Sequence, residues 1–342
     1  MTFTKDTETA FAGLSVVLRF TEASSNPTPL TSWLSEIEPA PRWIPLRQTN
    51  GVTKVMPVLP DPVLYSSLMP AICQQIGQDS LVEWRGKAYE ITGVEVDSHA
   101  LHVIEVSISA ATPLPPTLGR AIHALCFQWF AKTDAHLAEN LHQQDSLPMT
   151  LAMQYGSPKR MLLRIALLKK ELLAPLLWGM SADLGGEITL AGIPCQLGGW
   201  VDILQASSFE KLTQVPAQST IDLQFLSPTS FKQGKTVQPF PLAEIVFNGL
   251  LRRWNIFAPE KLQLPAVEWN GLVSAYELKT YAMKMEGGAE IGAEGWAKYR
   301  FLDAEQARIA TVLAHFASFA GVGRKTAMGM GQARLSEPRQ RD

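Results

Sequence analysis

The clearest regular pattern of apolar and polar positions begins about one hundred residues into the chain. From Leu101, the run His-Val-Ile-Glu-Val-Ser-Ile-Ser alternates apolar and polar residues as a half-buried strand does, and three prolines between 113 and 116 then end it. The next segment has helical spacing, with apolar residues at Leu118, Ile122, Leu125 and Trp129. Asp134 begins a second short helix. A strand followed by two helices is therefore predicted.

The same alternation of strands and helices continues to the end of the chain. Strands are predicted at 147–154, 160–168 and 187–196, with a helix at 169–180. Strand, helix, strand, strand, helix, strand is the order of the ferredoxin-like unit, an antiparallel sheet with two helices on one face. A second, less regular unit is predicted to open with a strand at 201–204. Its further elements are a helix at 207–214, strands at 220–226, 273–285, 296–301 and 330–335, and helices at 242–254 and 303–319.

The predicted fold is therefore α+β, with tandem ferredoxin-like domains and an additional N-terminal region. The domains are expected at 98–200 and 201–337, and a tail follows at 338–342. Residues 1–97 have many prolines and predict mixed strand and loop with one helix at 62–75.

Composition and charge indicate a globular protein without a strongly basic character. Apolar residues are 46% and charged residues 18% of the 342, and the net charge of −2 offers no overall attraction for phosphate, so a nucleic-acid site would need a local basic cluster. Cys73, Cys126 and Cys195 are too few and too far apart for a disulfide framework or a zinc motif. No leader segment and no long apolar run is present, so a cytoplasmic protein without membrane association is expected.

The segment 320–331, Ala-Gly-Val-Gly-Arg-Lys-Thr-Ala-Met-Gly-Met-Gly, has four glycines around a basic pair. Glycine lets a backbone approach a partner closely, and the two cations add charge, so the segment is suited to gripping phosphates. It is neither a Walker A loop nor a dinucleotide loop, because Arg324 separates Gly323 from Lys325 and the segment leads from a helix into a strand. A tight turn beside a close-packed strand is the alternative.

The helix, the pattern G-x-G-[basic]-x-x-x-x-G-x-G and the terminal strand resemble the C-terminal glycine-rich loop of the CRISPR repeat-processing endoribonucleases of the RAMP superfamily. Segments 114–123, 134–142 and 225–232 look like three further parts of that family, so the likeness covers about residues 98–337. It implies binding of CRISPR repeat RNA and cleavage of the precursor to guide RNA without a metal or another cofactor. Other subunits of a CRISPR effector complex are expected partners.

Two of the six histidines are predicted to be catalytic. Cleavage by the substrate's own 2′-hydroxyl needs one proton removed and another supplied, and histidine suits both tasks near neutral pH. His142 follows the second short helix, is expected to be exposed, and matches the family's active-site histidine. His123 is the expected partner, because some family members have a second histidine on the first helix; a satisfied histidine at the core boundary is the alternative. His315 is expected in the core, while His99, His102 and His136 have no motif support.

The predicted RNA contacts are of two kinds. By the resemblance, the glycine segment contributes Gly321, Gly323, Arg324, Lys325, Gly329 and Gly331. Short basic clusters add Lys159, Arg160, Arg164, Arg252 and Arg253, for which solvated surface is the alternative. Some family members have a lysine where this chain has Leu147-Pro148, so the charge of the transition state must be met elsewhere. The candidates are Lys159, Arg160 and Arg164, or Arg324 and Lys325.

Three competing functions are open to test. An RNA-binding subunit of a CRISPR effector complex would have the same fold with idle histidines. A bilobal phosphoesterase needs His-x-Ser/Thr, which follows none of the histidines. A metal nuclease would draw on Glu277, Lys279 and a distant Asp222, without a carboxylate cluster. Residues 1–97 lie outside the family core and are predicted to dock a partner protein or the flank of the RNA hairpin.

Overall fold

The computed structural model describes residues 12–22, 26–46, 52–77, 81–285 and 288–336. Its described residues form an N-terminal sheet followed by two ferredoxin-like units, which confirms the predicted fold class. The predicted tail at 338–342 lies outside the described residues.

The N-terminal region forms a six-stranded sheet with one α-helix in its described residues. The strands are β1 Gly13–Phe20, β2 Thr28–Pro29, β3 Arg42–Pro45, β4 Thr53–Val58, β5 Val82–Trp84 and β6 Lys87–Asp97, in the order β2-β5-β6-β1-β4-β3. The helix α1, Tyr65–Ile76, follows a 3-10 turn at Pro62–Leu64 and confirms the helix predicted at 62–75. Its buried side chains Tyr65, Leu68 and Ile72 recur every three to four residues and face the sheet.

The first ferredoxin-like unit is an antiparallel sheet covered by helices. Its elements are β7 Leu101–Ala110, α2 Gly119–Thr133, α3 Ala135–His142, β8 Met149–Ser157, β9 Arg160–Leu167, α4 Leu173–Ser181, β10 Glu187–Leu190, β11 Ile193–Leu197 and β12 Asp202–Ser207. The sheet order is β10-β11-β7-β9-β8, and β12 also pairs with β7. This order places the fourth strand beside the first and the third beside the second, as the split βαβ unit requires.

Two sequence predictions in this unit differ from the structure. The single strand predicted at 187–196 is a hairpin, because Ala191 and Gly192 both have positive φ angles, 49° and 80°, and turn the chain back on itself. The strand predicted at 201–204 to open the second unit instead belongs to β12, which pairs with β7 of the first sheet. Strand partners are a tertiary property, so the local pattern predicted a strand without its sheet.

The second unit repeats the order of the first. Its elements are α5 Phe209–Thr213, β13 Thr220–Thr229, β14 Phe231–Gln233, β15 Thr236–Gln238, α6 Ala243–Phe257, β16 Leu272–Met285, β17 Gly288–Arg300, α7 Ala304–Ala320 and β18 Ala333–Leu335. The described main sheet has the order β16-β17-β13-β18, and β14 pairs with β15 separately. Asp303 caps α7 by accepting a hydrogen bond from the Gln306 amide at 2.8 Å, which sets where the helix begins.

Two buried helices join the three parts. Helix α7 packs against its own sheet and against the first unit, where the hydroxyl of Thr150 donates to the carbonyl of Phe319 at 2.9 Å. Helix α4 is buried between the first unit and the N-terminal sheet, and the guanidinium of Arg42 lies 4.2 Å from the ring centroid of Trp178. The two units therefore lie side by side, and the N-terminal sheet shares a continuous core with the first unit.

Candidate functional site

His123 and His142 lie together on the first unit. His123 is half-buried in the middle of α2, and His142 is the exposed last residue of α3. Their ring centroids are 6.4 Å apart, with the ring planes inclined at 57°. The structure therefore brings together the two histidines that the sequence singled out.

The local sequence explains why His142 reaches solvent beside α2. Asp134 has an extended backbone between α2 and α3, and its carboxylate accepts a hydrogen bond from the His136 amide at 2.8 Å. This cap starts a two-turn helix whose Ala138 and Leu141 face the core. His142 follows Leu141 by one residue, about 100° further round the helix, so its ring leaves the core for solvent.

Phe127 contacts both histidines. Its ring stacks on His123 at 4.5 Å between centroids and meets His142 edge to face at 5.4 Å. Sequence reasoning did not single out Phe127, although its position four residues after His123 places it one helical turn further along the same face. The half-buried ring of Phe127 therefore packs beside both imidazoles.

The surroundings of His123 lower its affinity for a proton. Burial lowers the pKa of His123 below its ordinary value, and the nearby charge of His142 lowers that pKa further. A proton on His142 thus disfavours a proton on His123. A neutral imidazole beside a second, exposed imidazole is an arrangement that acid–base chemistry can use.

The glycine segment, residues 320–331, forms a compact loop between α7 and β18 in which several residues have positive φ angles. It is called the knot below. Gly321, Gly323, Gly329 and Gly331 all have positive φ angles, between 64° and 89°. A side chain at Gly323 would collide with the carbonyl oxygen of Ser230, and one at Gly331 with that of Val322. The positive φ angles and the close packing within the protein therefore explain why these positions are glycine, whether or not RNA is bound.

The knot contacts the first unit close to His123. Its 3-10 turn, Thr326–Met328, packs against β8 and the start of α2, where a side chain at Gly119 would collide with the carbonyl of Met328. Gly119 precedes His123 by one helical turn on the same side of α2. A cavity of about 180 Å³ opens beside the knot between the units, with Thr150, Gly321 and Arg334 in its wall. The glycine segment thus lies at the cleft between the units, as expected.

Both cations of the knot are paired within the protein. The ammonium of Lys325 lies 2.5 Å from one carboxylate oxygen of Glu290, and the guanidinium of Arg324 lies 3.3 Å from the other. The hydrogen bond from Lys325 and the two positive charges lower the pKa of Glu290, so that carboxylate is ionised at neutral pH. Sequence reasoning missed Glu290 because it lies on β17, more than thirty residues before the knot, with no local motif.

The predicted basic clusters divide into exposed and internal side chains. Lys159 and Arg160 are exposed at the turn between β8 and β9, and Arg252 is exposed on α6. Arg164 is half-buried, and its guanidinium lies 2.7 Å from the carboxylate of Glu105, which is itself buried. The first three are open to solvent and can meet a phosphate, whereas Arg164 is held by Glu105.

Arg253 is a bridge within the protein. Its guanidinium donates to the hydroxyl of Thr326 at 2.6 Å and to the carbonyl of Leu147 at 3.0 Å, which ties α6 to the knot and to the loop after His142. Burial lowers the pKa of Arg253 to about 10, and the charge of Arg252 adds to the effect. Arg253 was predicted to contact RNA, but its guanidinium instead holds the knot and the loop after His142 in position.

The remaining histidines are placed away from the pair. His315 is half-buried on α7, where burial lowers its pKa, and His136 is exposed on α3. His99 and His102 share the carboxylate of Asp97, at 2.9 and 2.8 Å. In the described ranges, no three histidine, cysteine, aspartate or glutamate side chains converge as a metal site would require.

Arg120 is a further exposed cation that sequence reasoning did not propose. It precedes His123 by three residues on α2, and residues three apart lie on one side of a helix. The signal was present in the sequence as an Arg-x-x-His spacing on a predicted helix.

None of the helices in the described part of the chain has the length and apolar character to cross a membrane.

Comparisons with known proteins bear on the family and on the fold. Residues 223–333 match the family model described as CRISPR-associated endoribonuclease Cas6. A search of curated proteins found no match. Among solved structures, a Cas6 (TTHB231) product complex is 24% identical with a TM-score of 0.63, and a Cas6 (TTHA0078) product complex is 26% identical with a TM-score of 0.57. Each covers 70% of this chain and 100% of its own.

Thermus thermophilus Cas6 (TTHB231) is 23% identical with a TM-score of 0.54, and covers 70% of this chain and 99% of its own. Nearly the whole length of these proteins is therefore matched, while three tenths of this chain is additional. The family match over residues 223–333 and the shared fold confirm the resemblance noted from the glycine segment: the chain is similar to the CRISPR-associated endoribonucleases of the Cas6 family.

Proposed function

We propose that this chain is an endoribonuclease that binds CRISPR repeat RNA and cleaves the precursor by metal-independent attack of a 2′-hydroxyl on the neighbouring phosphate. The observation that carries the proposal is the pair of His123 and His142, whose ring centroids are 6.4 Å apart on α2 and α3, with the glycine knot packed against the start of α2. Solved Cas6 proteins have been captured as product and substrate-mimic complexes. The products expected here are a 2′,3′-cyclic phosphate on one fragment and a 5′-hydroxyl on the other.

The reaction requires two proton transfers at one phosphodiester. A base removes the proton of the 2′-hydroxyl as its oxygen forms a bond to phosphorus, and an acid protonates the 5′-oxygen as its bond to phosphorus breaks. The protein must also hold the 2′-oxygen in line with the leaving oxygen. One neutral and one protonated imidazole would supply the base and the acid together.

The surroundings assign a role to each histidine. His123 has a lowered pKa and is neutral at neutral pH, so it is suited to be the base. His142 is exposed and can carry the proton that the leaving oxygen requires. Phe127 packs beside both rings, which limits the orientations that the two imidazoles can adopt.

The phosphate charge that grows in the transition state needs a cation, and the chain has none at Leu147-Pro148. Arg120 is the nearest to His123 along α2, and Lys159 and Arg160 are exposed on the β8–β9 turn. Arg324 and Lys325 are held by Glu290, so they would meet RNA only by leaving or sharing that carboxylate. Arg120, for its position on the same helix as His123, and the exposed β8–β9 turn are the first positions to test.

The alternative is a catalytically inactive RNA-binding subunit of a CRISPR effector complex. The pairing of Arg324 and Lys325 with Glu290, and the absence of a cation at Leu147-Pro148, favour it. In both functions the RNA contacts are proposed at the exposed Lys159, Arg160 and Arg252 and at the glycine knot. Other effector subunits and a cytoplasmic location are also expected in both.

The deciding experiment is cleavage of repeat RNA in EDTA. The unmodified RNA, the same RNA with a 2′-deoxy nucleotide at the scissile position, and the variants His142→Ala and His136→Ala are compared. Because His136 is exposed on the same helix, His136→Ala is the matched control. Cleavage that needs both the 2′-hydroxyl and His142 supports the proposal. Tight binding without cleavage in every tube supports the inactive subunit, and cleavage of the 2′-deoxy RNA rejects the mechanism.

A further inference from the structure

A groove lined by aromatic and basic side chains opens at one end of the N-terminal sheet. It has a volume of about 380 Å³ and lies where β5 and β6 meet the segment between β11 and β12. The side chains that matter for its chemistry are Trp84, Arg85, Lys87, Tyr89 and Trp200. They are called the aromatic groove below. Its N-terminal part lies outside the region that resembles the Cas6 family.

One ring of the groove and one ring next to it are open to solvent. Trp200 is 41% exposed, and Phe20, which lies outside the lining and meets Tyr89 edge to face at 6.1 Å, is 54% exposed. Trp84 is half-buried and Tyr89 is buried. Single exposed apolar residues are ordinary, but two large exposed rings beside one cavity are typical of a surface that binds a ligand.

The cations of the groove are adjacent to these rings. The ammonium of Lys87 lies 6.0 Å from the ring centroid of Phe20, and the guanidinium of Arg85 lies 5.7 Å from that of Trp84. Among the described residues that line the groove, none is a carboxylate. Glu83, the closest acid in sequence, accepts a hydrogen bond from the Gly86 amide at 3.2 Å. On a chain with a net charge of −2, this is a local basic patch.

The groove is held rigidly across two domains. Arg85 and Gly86 form the two-residue turn between β5 and β6, with φ angles of 51° and 77°. The guanidinium of Arg85 donates to the carbonyl of Gly199 at 2.9 Å, which fixes it beside Trp200. The Val201 amide donates to Pro45 at 3.0 Å and secures the other side of Trp200. Little ordering is therefore required when a ligand binds.

We propose that the aromatic groove binds unpaired nucleotides of an RNA strand, with bases stacked on the exposed rings and phosphates at Arg85 and Lys87. Aromatic platforms beside cations are the chemistry of single-stranded nucleic-acid sites, because every base offers a flat face and every linkage a charge. That this strand is the unpaired flank of the repeat hairpin rests on the proposed function. The groove would then give the N-terminal region a role in recognition.

The test is binding of a fluorescent oligouridine of about eight nucleotides to the full-length chain, followed by anisotropy. Trp200→Ala is expected to weaken binding by about tenfold, and Trp200→Phe to restore most of the loss, because stacking needs only an aromatic face. Lys87→Ala is expected to reduce the slope of log affinity against log salt by about 0.7. The matched controls are Lys261→Ala and Leu302→Ala, which remove exposed side chains elsewhere and should leave affinity unchanged.

The same proteins are then assayed on repeat RNA trimmed of its flanks. Selective loss of oligouridine binding with unchanged cleavage of the trimmed hairpin supports the groove as a strand site. If every groove variant binds oligouridine as the wild-type chain does, the inference is wrong, and a partner protein becomes the better occupant. If the wild-type chain cleaves no repeat RNA while Trp200→Ala still loses oligouridine, the proposed function fails and the groove remains. Circular dichroism of each variant excludes unfolding as the cause.

Discussion

The histidine pair lies on α2 and α3, and the glycine knot packs against the start of α2, yet the two regions differ in how many of their polar groups are already paired within the protein. His142 is exposed at the end of α3, and its ring lies 6.4 Å from that of His123, with no acidic partner in the contacts described. In the knot, Arg324 and Lys325 are paired with Glu290, and the glycines are packed against backbone. The pair is available to a substrate, whereas most groups of the knot are engaged by the protein.

The segment with the strongest sequence signal is therefore not the one whose side chains are most available to a substrate. The glycine pattern was the strongest local signal in the chain, but the structure gives it a positioning role between α7, β13 and α2. The two histidines had a weaker signal and have the freer geometry. We infer that the knot holds α7, β13 and α2 in position and that the histidines carry the chemistry.

The largest expected effect is on the cleavage rate. His123→Ala should lower the single-turnover rate by about 10²–10⁴-fold, because it removes the group proposed as base. RNA affinity should change little, since His123 is half-buried and offers no charge at neutral pH. Single-turnover kinetics and filter binding separate the two quantities. A loss of affinity as large as the loss of rate would make His123 a binding residue and contradict the account.

The next largest effect is on stability. Gly323→Ala should lower the free energy of unfolding by about 3 kcal/mol, because a side chain there would both collide with Ser230 and require a φ near 81°. Gly192→Ala is the matched control, since Gly192 has a φ of 80° with open space around it, and about 1 kcal/mol is expected. Urea denaturation measures both. Equal losses would mean that the knot is not closely packed.

The bridge made by Arg253 should be worth less than the packing of the knot. Arg253→Ala is expected to cost about 1–3 kcal/mol of unfolding free energy, because it leaves the partly buried acceptors of Thr326 and Leu147 without their donor. Arg252→Ala, at the exposed neighbouring position, should stay within about 0.5 kcal/mol. Thermal unfolding of the two variants compares them directly, and indistinguishable melting temperatures would show that the bridge is not a stabilising contact.

The smallest effect concerns the paired cations. Glu290→Gln should strengthen RNA binding by about twofold to fivefold and steepen its salt dependence, because two cations lose their internal neutralisation. The pKa of Glu290 is lowered, so its ion pairs stabilise the fold at neutral pH and are lost as pH falls through that lowered value. Affinity and acid unfolding are measured on the same variant. Weaker RNA binding would indicate that Glu290 positions the cations for phosphate.

Much of the fold could be predicted because its signals are local. Asp134 and Asp303 are helix caps that a sequence displays directly, and the six-element order of each unit follows from apolar periodicity. The hairpin at Ala191-Gly192 was missed because alanine rarely adopts a positive φ and does not mark a turn. The pairing of β12 with β7 was missed because neighbours in a sheet are chosen by tertiary contacts.

The residues of the candidate site were easier to predict from sequence than the contacts between them. Helical spacing placed His142 outside the core and His123 at its boundary, and both positions agree with the structure. The partners of the cations are distant in sequence: Glu290 for Lys325, Glu105 for Arg164, and Thr326 for Arg253. A local pattern shows a basic residue but not the acid across the sheet. Free and paired cations therefore could not be told apart from sequence.

The most direct test of the account is the pH dependence of single-turnover cleavage in EDTA, for the wild-type chain and for His123→Ala. The account predicts a bell-shaped profile for the wild-type chain, with an acidic limb below histidine's ordinary pKa, because burial and His142 lower the pKa of His123. That limb should be absent in His123→Ala. A rate that rises steadily with pH and with the same slope in both proteins would mean that hydroxide, and not the histidine pair, removes the proton.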